Sequence, residues 1–290
     1  MKTLMKSTRN RCFRRIFYAF SSLLLVLSAS NAVRGQGRAV IRDTDDGIKY
    51  ARGQNVVPAY EGWVANPDGT YSLIFGYWNR NWEEDLAIPI GPDNHFEPGP
   101  TDRGQPTFFG PRRGKNVFEV VVPKDFGKKE VVWTLTSRGR IEKAYGSLVP
   151  TQLLTRRMVI AGGSLSAAAA ATFNDDQGDE SDPNKPPSIT IDVAPTASVA
   201  TPATVVASVS DDGLSVIRGR SARGLRLTWS TYRGPTRVIF DPDASNPPSP
   251  TGGKITTTAK FNALGTYLIR ATATDAGGLA TNQDVTVVVK

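Results

Sequence analysis

The apolar residues of this chain recur with a period of two, and no other feature limits its possible folds as much. Val205, Ala207 and Val209 alternate with polar neighbours, as do Leu225, Leu227 and Trp229, then Tyr267, Ile269, Ala271 and Ala273, then Val285, Val287 and Val289. Side chains on a strand point alternately to opposite faces, so each row describes a strand with one face buried and the other wet. Ile189, Ile191 and Val193 form a further row. Earlier in the chain Tyr71, Leu73, Phe75 and Tyr77 share a face, and Phe118, Val120 and Val122, then Val131, Trp133 and Leu135, repeat the pattern. No long stretch carries a clear period of 3.6, which a helix burying one stripe requires. The expected fold class is all-β, with two sandwich modules.

Turn chemistry divides the strands. The run NPDGT at Asn66 to Thr70 reads as a hairpin turn, and PDN and EPGP punctuate the centre of the first module. That module is placed at residues 58–157, after a polar, Gly- and Arg-rich extended lead-in at 33–57. Residues 158–187 are first rich in alanine, then acidic and Pro-rich, and their second part has the composition of a linker. Whether 158–172 make a short helix or an edge strand stays open. The second module occupies 188–290, where about seven short strands in about 100 residues match an immunoglobulin-like sandwich.

Residues 1–32 read as a signal peptide: a basic stretch without acids, the apolar run IFYAFSSLLLVLSA, and small residues at Ser30 and Ala32. The apolar run is shorter than the roughly 20 residues a spanning helix needs, so no transmembrane span is expected after cleavage. The expected location is outside the cytoplasm: periplasm, cell surface or medium. Arg14 and Arg15 also fit a twin-arginine signal, and the route of export stays open. Cleavage takes away six of the 35 basic residues and none of the 27 acids, so the net charge falls from +8 to +2. A nucleic-acid partner is not expected at that charge. The single cysteine, Cys12, leaves with the leader, which excludes disulfides, thiol nucleophiles and thiolate metal sites from the mature chain.

Two resemblances add to this reading. RGLRLTWSTYRGP and AKFNALGTYLIRATATDAGGLATNQDVTVVV resemble the PKD and related immunoglobulin-like domains of bacterial surface and secreted proteins, over residues 188–290. That likeness implies a core tryptophan at Trp229 on a central strand, and a tyrosine at Tyr267 whose hydroxyl closes a corner. In the first module, FGYWN at Phe75, IPIGPDNHFEP at Ile88, RGQPTFF at Arg103, VFEV at Val117 and WTL at Trp133 are similar to a module of secreted and surface bacterial proteins. The whole chain resembles an uncharacterised family of such proteins. Neither likeness implies a reaction.

Candidate chemistry gathers in FGYWNRNWEEDLAIPIGPDNHF, Phe75 to Phe96. Alternation assigns Phe75 and Tyr77 to the core and Trp78 to the other face, with Trp82 beyond a bend marked by Asn79 and Asn81. Trp78, Trp82 and Trp63 either form an aromatic platform for sugar rings or cover the end of the sandwich. Arg80 and Arg103, with Arg112 and Arg113, are candidate anchors for an anionic group. Glu83 and Asp85 have the separation of an inverting glycosidase pair if they lie on a strand; as an exposed acidic strand they would instead deter edge pairing. His95, the only histidine, reads as a surface-loop residue. Asp211, Asp241, Asp243 and Asp275 sit in turns that acids favour for backbone reasons and that calcium also uses. No catalytic residue, metal or cofactor is assigned. The expected function is non-catalytic binding of protein or polysaccharide by an exported module, against two alternatives, a glycan-active enzyme and a structural envelope component. Oligomeric state is not legible.

Overall fold

The computed structural model describes residues 49–161, 184–214 and 224–290. The leader with Cys12 and the arginine pair, most of the lead-in, and the alanine run with the acidic half of the linker lie outside the described residues.

The protein is all-β. In the first sandwich, β1 (Val56–Ala65), β2 (Tyr71–Asn79) and β6 (Arg112–Val122) form one antiparallel sheet with β2 at its centre. The facing sheet contains β4 (Asn94–Glu97), β7 (Val131–Ser137) and β8 (Arg140–Gly146), and a two-residue pair of β3 (Leu86–Ala87) with β5 (Phe108–Phe109) closes one end. β1 begins inside the stretch expected as lead-in: Val56 is fully buried, and its amide is held by Ser137 Oγ at 3.0 Å. Between the sheets the core is mostly aromatic. Phe96 stacks on Trp133 at 5.9 Å, while Phe75 and Phe118 meet that indole edge-on at 6.1 and 5.0 Å. Such pairs add about 0.5–1.5 kcal/mol each to the area they bury.

The row expected along β2 faces this core, but Ser72, Ile74 and Gly76 on its other face are buried as well. A strand buried on both sides needs a second cover, and part of it comes from the segment that follows β8. Leu154 pairs its amide with Trp63 O at 2.7 Å, and Thr155 then caps α1 (Arg156–Ile160), its hydroxyl accepting from the Met158 amide. Arg156 reaches back over Ser72 and Asn66 and pairs with Glu119 at 2.7 Å. The described end of the stretch that sequence left as helix or edge strand is therefore helical as far as Ile160.

The second sandwich pairs β13 (Ile239–Asp241), β15 (Gly252–Lys260), β11 (Ala203–Ser210) and β9 (Ser188–Val193) in that order. Opposite lie β10 (Thr196–Ala197), β17 (Ala280–Val289), β16 (Gly265–Thr274), β12 (Arg226–Arg233) and β14 (Ala244–Ser245). All pairings are antiparallel except β10 with β17. This is the strand order of an immunoglobulin-like sandwich. The alternating residues found in the sequence line its aliphatic core, and Trp229 stacks on Phe240 at 5.7 Å. Tyr267 donates its hydroxyl to Ala263 O at 3.0 Å, closing the corner. Gly234, at φ +157°, is needed beside it, because a Cβ there would run into the tyrosine ring.

Residues Tyr50–Lys290 form one compact unit, and two β-bulges facing each other make the joint between its sandwiches. In β6 the register jumps so that Lys115, Asn116 and Val117 stand opposite Gly76 alone, with Asn116 at φ +51°. In β12 the extra residue is Tyr232, between Thr231 and Arg233. A bulge re-aims side chains and frees backbone groups. Here the freed Val117 O accepts from Arg270 Nη1 at 2.6 Å, and the re-aimed Tyr232 donates to Gly104 O and lies under the Arg270 guanidinium at 3.7 Å. Arg233 completes the joint with a bidentate pair to Asp102, 2.7 and 2.9 Å, and a bond to Gln105 O.

Candidate functional site

At the Asn79 end of β2 the chain leaves the strand through a bend built by two fully buried amides. Asn79 Nδ2 donates to Glu84 O at 2.7 Å and Phe109 O at 3.1 Å, and its Oδ1 accepts from the amide and side chain of Asn81. Asn81 in turn holds Gln54 O, while its Oδ1 accepts from the Gln54 amide. Buried backbone groups outside a ladder need such partners, which is why the asparagines expected to mark a bend lie inside it.

The bend carries Trp78 and Trp82 to the surface, where they keep 57% and 40% of their area exposed. Trp78 faces away from the core, opposite Arg113 in the register, and Arg112 lies over the Trp82 ring at 4.3 Å. Two of the four arginines singled out from sequence, Arg112 and Arg113 on β6, thus accompany the rings. Trp63 does not join them. It stands opposite Leu73, five positions along β2 from Trp78 and hence roughly 17 Å away, on the core side. There its ring packs edge-on against Tyr71 and its Nε1 donates to Val149 O at 2.8 Å. No three-tryptophan platform exists. Arg80 is exposed and directs Nη1 at Asn55 Oδ1 at 3.4 Å. Arg103 folds into its own loop, donating to Pro98 O at 2.6 Å, with burial lowering its pKa.

The acids after Trp82 do not lie on a strand, because the asparagine-held bend turns the backbone there, so the spacing argument for Glu83 and Asp85 fails. Glu83 is exposed, and Glu84 accepts from the Gly53 amide and pairs with Arg138. Asp85 is drawn towards the second sandwich, where burial raises its pKa and Arg237, at 3.3 Å, opposes that rise. His95 lies on β4 rather than in a loop, partly buried, with Nε2 3.5 Å from Glu97. The turn acids of the second sandwich hold backbone amides. Asp212 accepts from Lys185 and Leu214, Asp275 from Leu279, and Asp211 from Gly213. Among the described residues no group of three or more His, Cys, Asp or Glu side chains is placed to hold a metal ion.

A second concavity runs beside the joint, with a volume of about 710 Å³. Tyr77, Phe108, Phe240 and Trp229 give it ring walls, and Asp85 and Arg237 bridge it. Burial pushes the Tyr77 and Tyr232 hydroxyls up to about 12, so both stay neutral hydrogen-bonding groups. Burial acts to lower the pKa of Arg270, but its bidentate bonds to Asp284 and the neighbouring Tyr232 outweigh it and raise the pKa above the ordinary value. Nothing in the alternation pointed to this crevice. The local signal was GKN at Gly114 to Asn116, a break in strand pattern of the kind that marks a bulge.

No family model matches the chain, and no curated protein matches it. Among solved structures it is similar to a PKD domain of an M14-like peptidase from Thermoplasmatales archaeon SCGC AB-540-F20, at 16% identity over 37% of this chain and 97% of that one, TM-score 0.25. It is also similar to the D00-D0 domain of intimin, at 12% identity over 81% of this chain and 100% of that one, TM-score 0.26. The Yersinia pseudotuberculosis adhesin InvE matches at 10% identity over 83% of this chain and 61% of that one, TM-score 0.24.

Proposed function

We propose that this chain is an exported, non-catalytic interaction module of the family of secreted bacterial proteins that its motifs resemble. It binds polysaccharide or protein through the surface at the Asn79 end of β2. The observation that carries the reading is the pair of exposed rings Trp78 and Trp82, with Arg112 over the second. Exposed tryptophan is uncommon because the ring loses the benefit of burial. Two of them raised by one internally bonded bend form a contact surface that requires no rearrangement to meet a partner. The arginine adds charge-assisted hydrogen-bond donors beside an apolar face, the combination that orients a sugar ring or an aromatic anchor. Glu84 and Asp85 are both committed to arginines and Glu83 is exposed, which disfavours paired-carboxylate chemistry at this end.

The test is a glycan array, and a pull-down from an envelope fraction, with the chain lacking residues 1–32. Retention that disappears in Trp78→Ala and Trp82→Ala, with melting temperature unchanged, supports the reading. Equal retention by parent and variants rejects it.

A further inference from the structure

Arg112 and Arg113 are neighbours at the start of β6, but their guanidinium groups are used differently. Arg113 has a carboxylate of its own: its Nη2 pairs with Glu61, and its Nη1 donates to Tyr77 O at 3.0 Å. Arg112 has none. Among the described residues no carboxylate pairs with it and no acceptor takes a hydrogen bond from its guanidinium, which lies instead over the Trp82 ring at 4.3 Å. Stacking of that kind uses the flat face of the group and leaves its in-plane N–H donors open. Arg112 also sits at φ +69°, a left-handed conformation that glycine or asparagine adopts at less cost. Asn81 O holds its amide there at 3.1 Å, so the bend that raises the tryptophans also fixes the arginine. A residue kept in a sparsely populated conformation by its surroundings marks a functional position. Here the strain secures a cation laid on an exposed ring.

The charge left over at this place is positive. Of the acids on the bend, Glu84 is taken by Arg138 and Asp85 by Arg237, which leaves Glu83. Against it stand Arg80, Arg112 and, on the segment that runs beside the bend, Arg52. All three are exposed, and none pairs with a carboxylate among the described residues. That segment is joined to the bend by two backbone bonds of 3.0 Å, from the Trp82 amide to Tyr50 O and from the Glu83 amide to Ala51 O, and it brings a further exposed ring, Tyr50. A ligand suited to this place has an apolar face to lie on the rings and an anionic group to meet the guanidinium edge. A sugar ring carrying a carboxylate has both, because its C–H face packs on indole and its two carboxylate oxygens accept from arginine bidentately. An acidic peptide has the carboxylates without the stiff apolar face.

We propose that the Trp78–Trp82 surface takes an acidic polysaccharide, with Arg112 pairing the carboxylate of a uronic acid residue. This rests on the binding role proposed for that surface and narrows it to one class of ligand. Trigalacturonic acid, its methyl ester and tri-glutamate are titrated into the full chain, with binding followed by tryptophan fluorescence and calorimetry. The acid binds about tenfold more tightly than the ester, which keeps the sugar rings and loses the charge, and the advantage shrinks as salt is raised. Arg112→Gly, which suits the left-handed backbone, abolishes the difference between acid and ester without lowering the melting temperature. Arg112→Gln does the same while keeping a long side chain at the position. Trp82→Ala weakens the binding of both sugars. Equal binding of acid and ester, binding of neither, a preference that survives in either Arg112 variant, or tri-glutamate binding as tightly as the acid overturns the proposal. The contact role of the surface outlives each of those results if envelope retention still depends on Trp78 and Trp82, so the two readings fail separately.

Discussion

Trp133 and Ile269 hold comparable positions, each fully buried between the sheets of its own sandwich, but the structures around them differ. Around Ile269 lie alanines, valines and leucines on long regular ladders, the pairing of β16 with β17 running unbroken from Gly265 opposite Val289 to Thr274 opposite Ala280. Around Trp133 lie phenylalanines, two of them, Phe96 and Phe109, on short strands, with β4 and β7 paired only from Asn94 to Glu97 and β3 with β5 for two residues. Short ladders leave backbone groups unpaired, and buried side-chain amides take them up. Asn94, for instance, donates to Ile88 O and Pro106 O and accepts from the Trp133 indole. The second sandwich draws its order from repetition along the backbone; the first draws it from particular side chains, so it should be less tolerant of single substitutions.

The largest effect tests that contrast at the centre. Trp133→Ala removes the ring on which four phenylalanines pack and should cost roughly 3–5 kcal/mol in urea unfolding. Trp229→Ala should fall near the lower end of the same range, because its ring borders the crevice. If either variant melts like the parent, that tryptophan is not a core residue. Next come the polar supports. Asn94→Ala leaves two carbonyls and an indole N–H without their partner and should cost about 3 kcal/mol, whereas Tyr267→Phe gives up the hydroxyl's contacts with Ala263 O and Thr236 Oγ1 for about 1–2 kcal/mol. Equal costs would remove the contrast.

The same contrast explains what could be read from sequence. The core rows of the second sandwich were legible because an unbroken strand keeps its faces: Val205, Ala207, Val209, Tyr267, Ile269, Ala271 and Ala273 all lie inside, as their alternation requires. Along β2 the same rule gave the inner row but not the burial of Ser72, Ile74 and Gly76, because what covers a strand's outer face is set by elements distant in sequence. Bulges hid the joint, since one added residue reverses the faces that alternation assigns, and Tyr232 points to the first sandwich for that reason. For the candidate surface, sequence placed Trp78 off the core face and Trp82 beyond a bend but left an exposed platform open against a covering role; the structure exposes both rings. Trp63 was misassigned to them because residue type carries no information about which end of a strand is which. Arg112 gained its place over Trp82 only through the β2–β6 register.

The joint offers a test of intermediate size. Arg270 holds Asp284, Tyr232 and Val117 O together, so Arg270→Ala should cost about 2 kcal/mol, less than a fully buried pair because Asp284 is partly wet. Combined with Arg233→Ala it should split a single calorimetric transition into two, one for each sandwich. A single transition in the double variant would mean that the cores are coupled by something other than this joint. A smaller effect depends on pH. The hydrogen bonds from Arg233 hold the Asp102 pKa below its usual 3.8, opposed by slight burial. A carboxylate depressed in the folded state adds stability above its unfolded pKa and loses it as pH falls through the folded one. Melting temperature should therefore drop below about pH 4 more steeply in the parent than in Asp102→Asn, and matching slopes would reject a role for this pair.

The smallest effect on stability falls where the largest effect on function is expected. Trp78 lies outside both cores, so Trp78→Ala should change unfolding free energy by no more than about 0.5 kcal/mol. Trp82→Ala also gives up the contact with Arg112, worth about 0.5–1 kcal/mol at an exposed site. Residues that can be removed without destabilising a fold are those whose retention has to be explained by what they touch outside it. A cost near that of Trp133→Ala for either ring would show that the bend depends on its tryptophans, and the Asn79 end of β2 would then be a piece of scaffold rather than a surface made for contact.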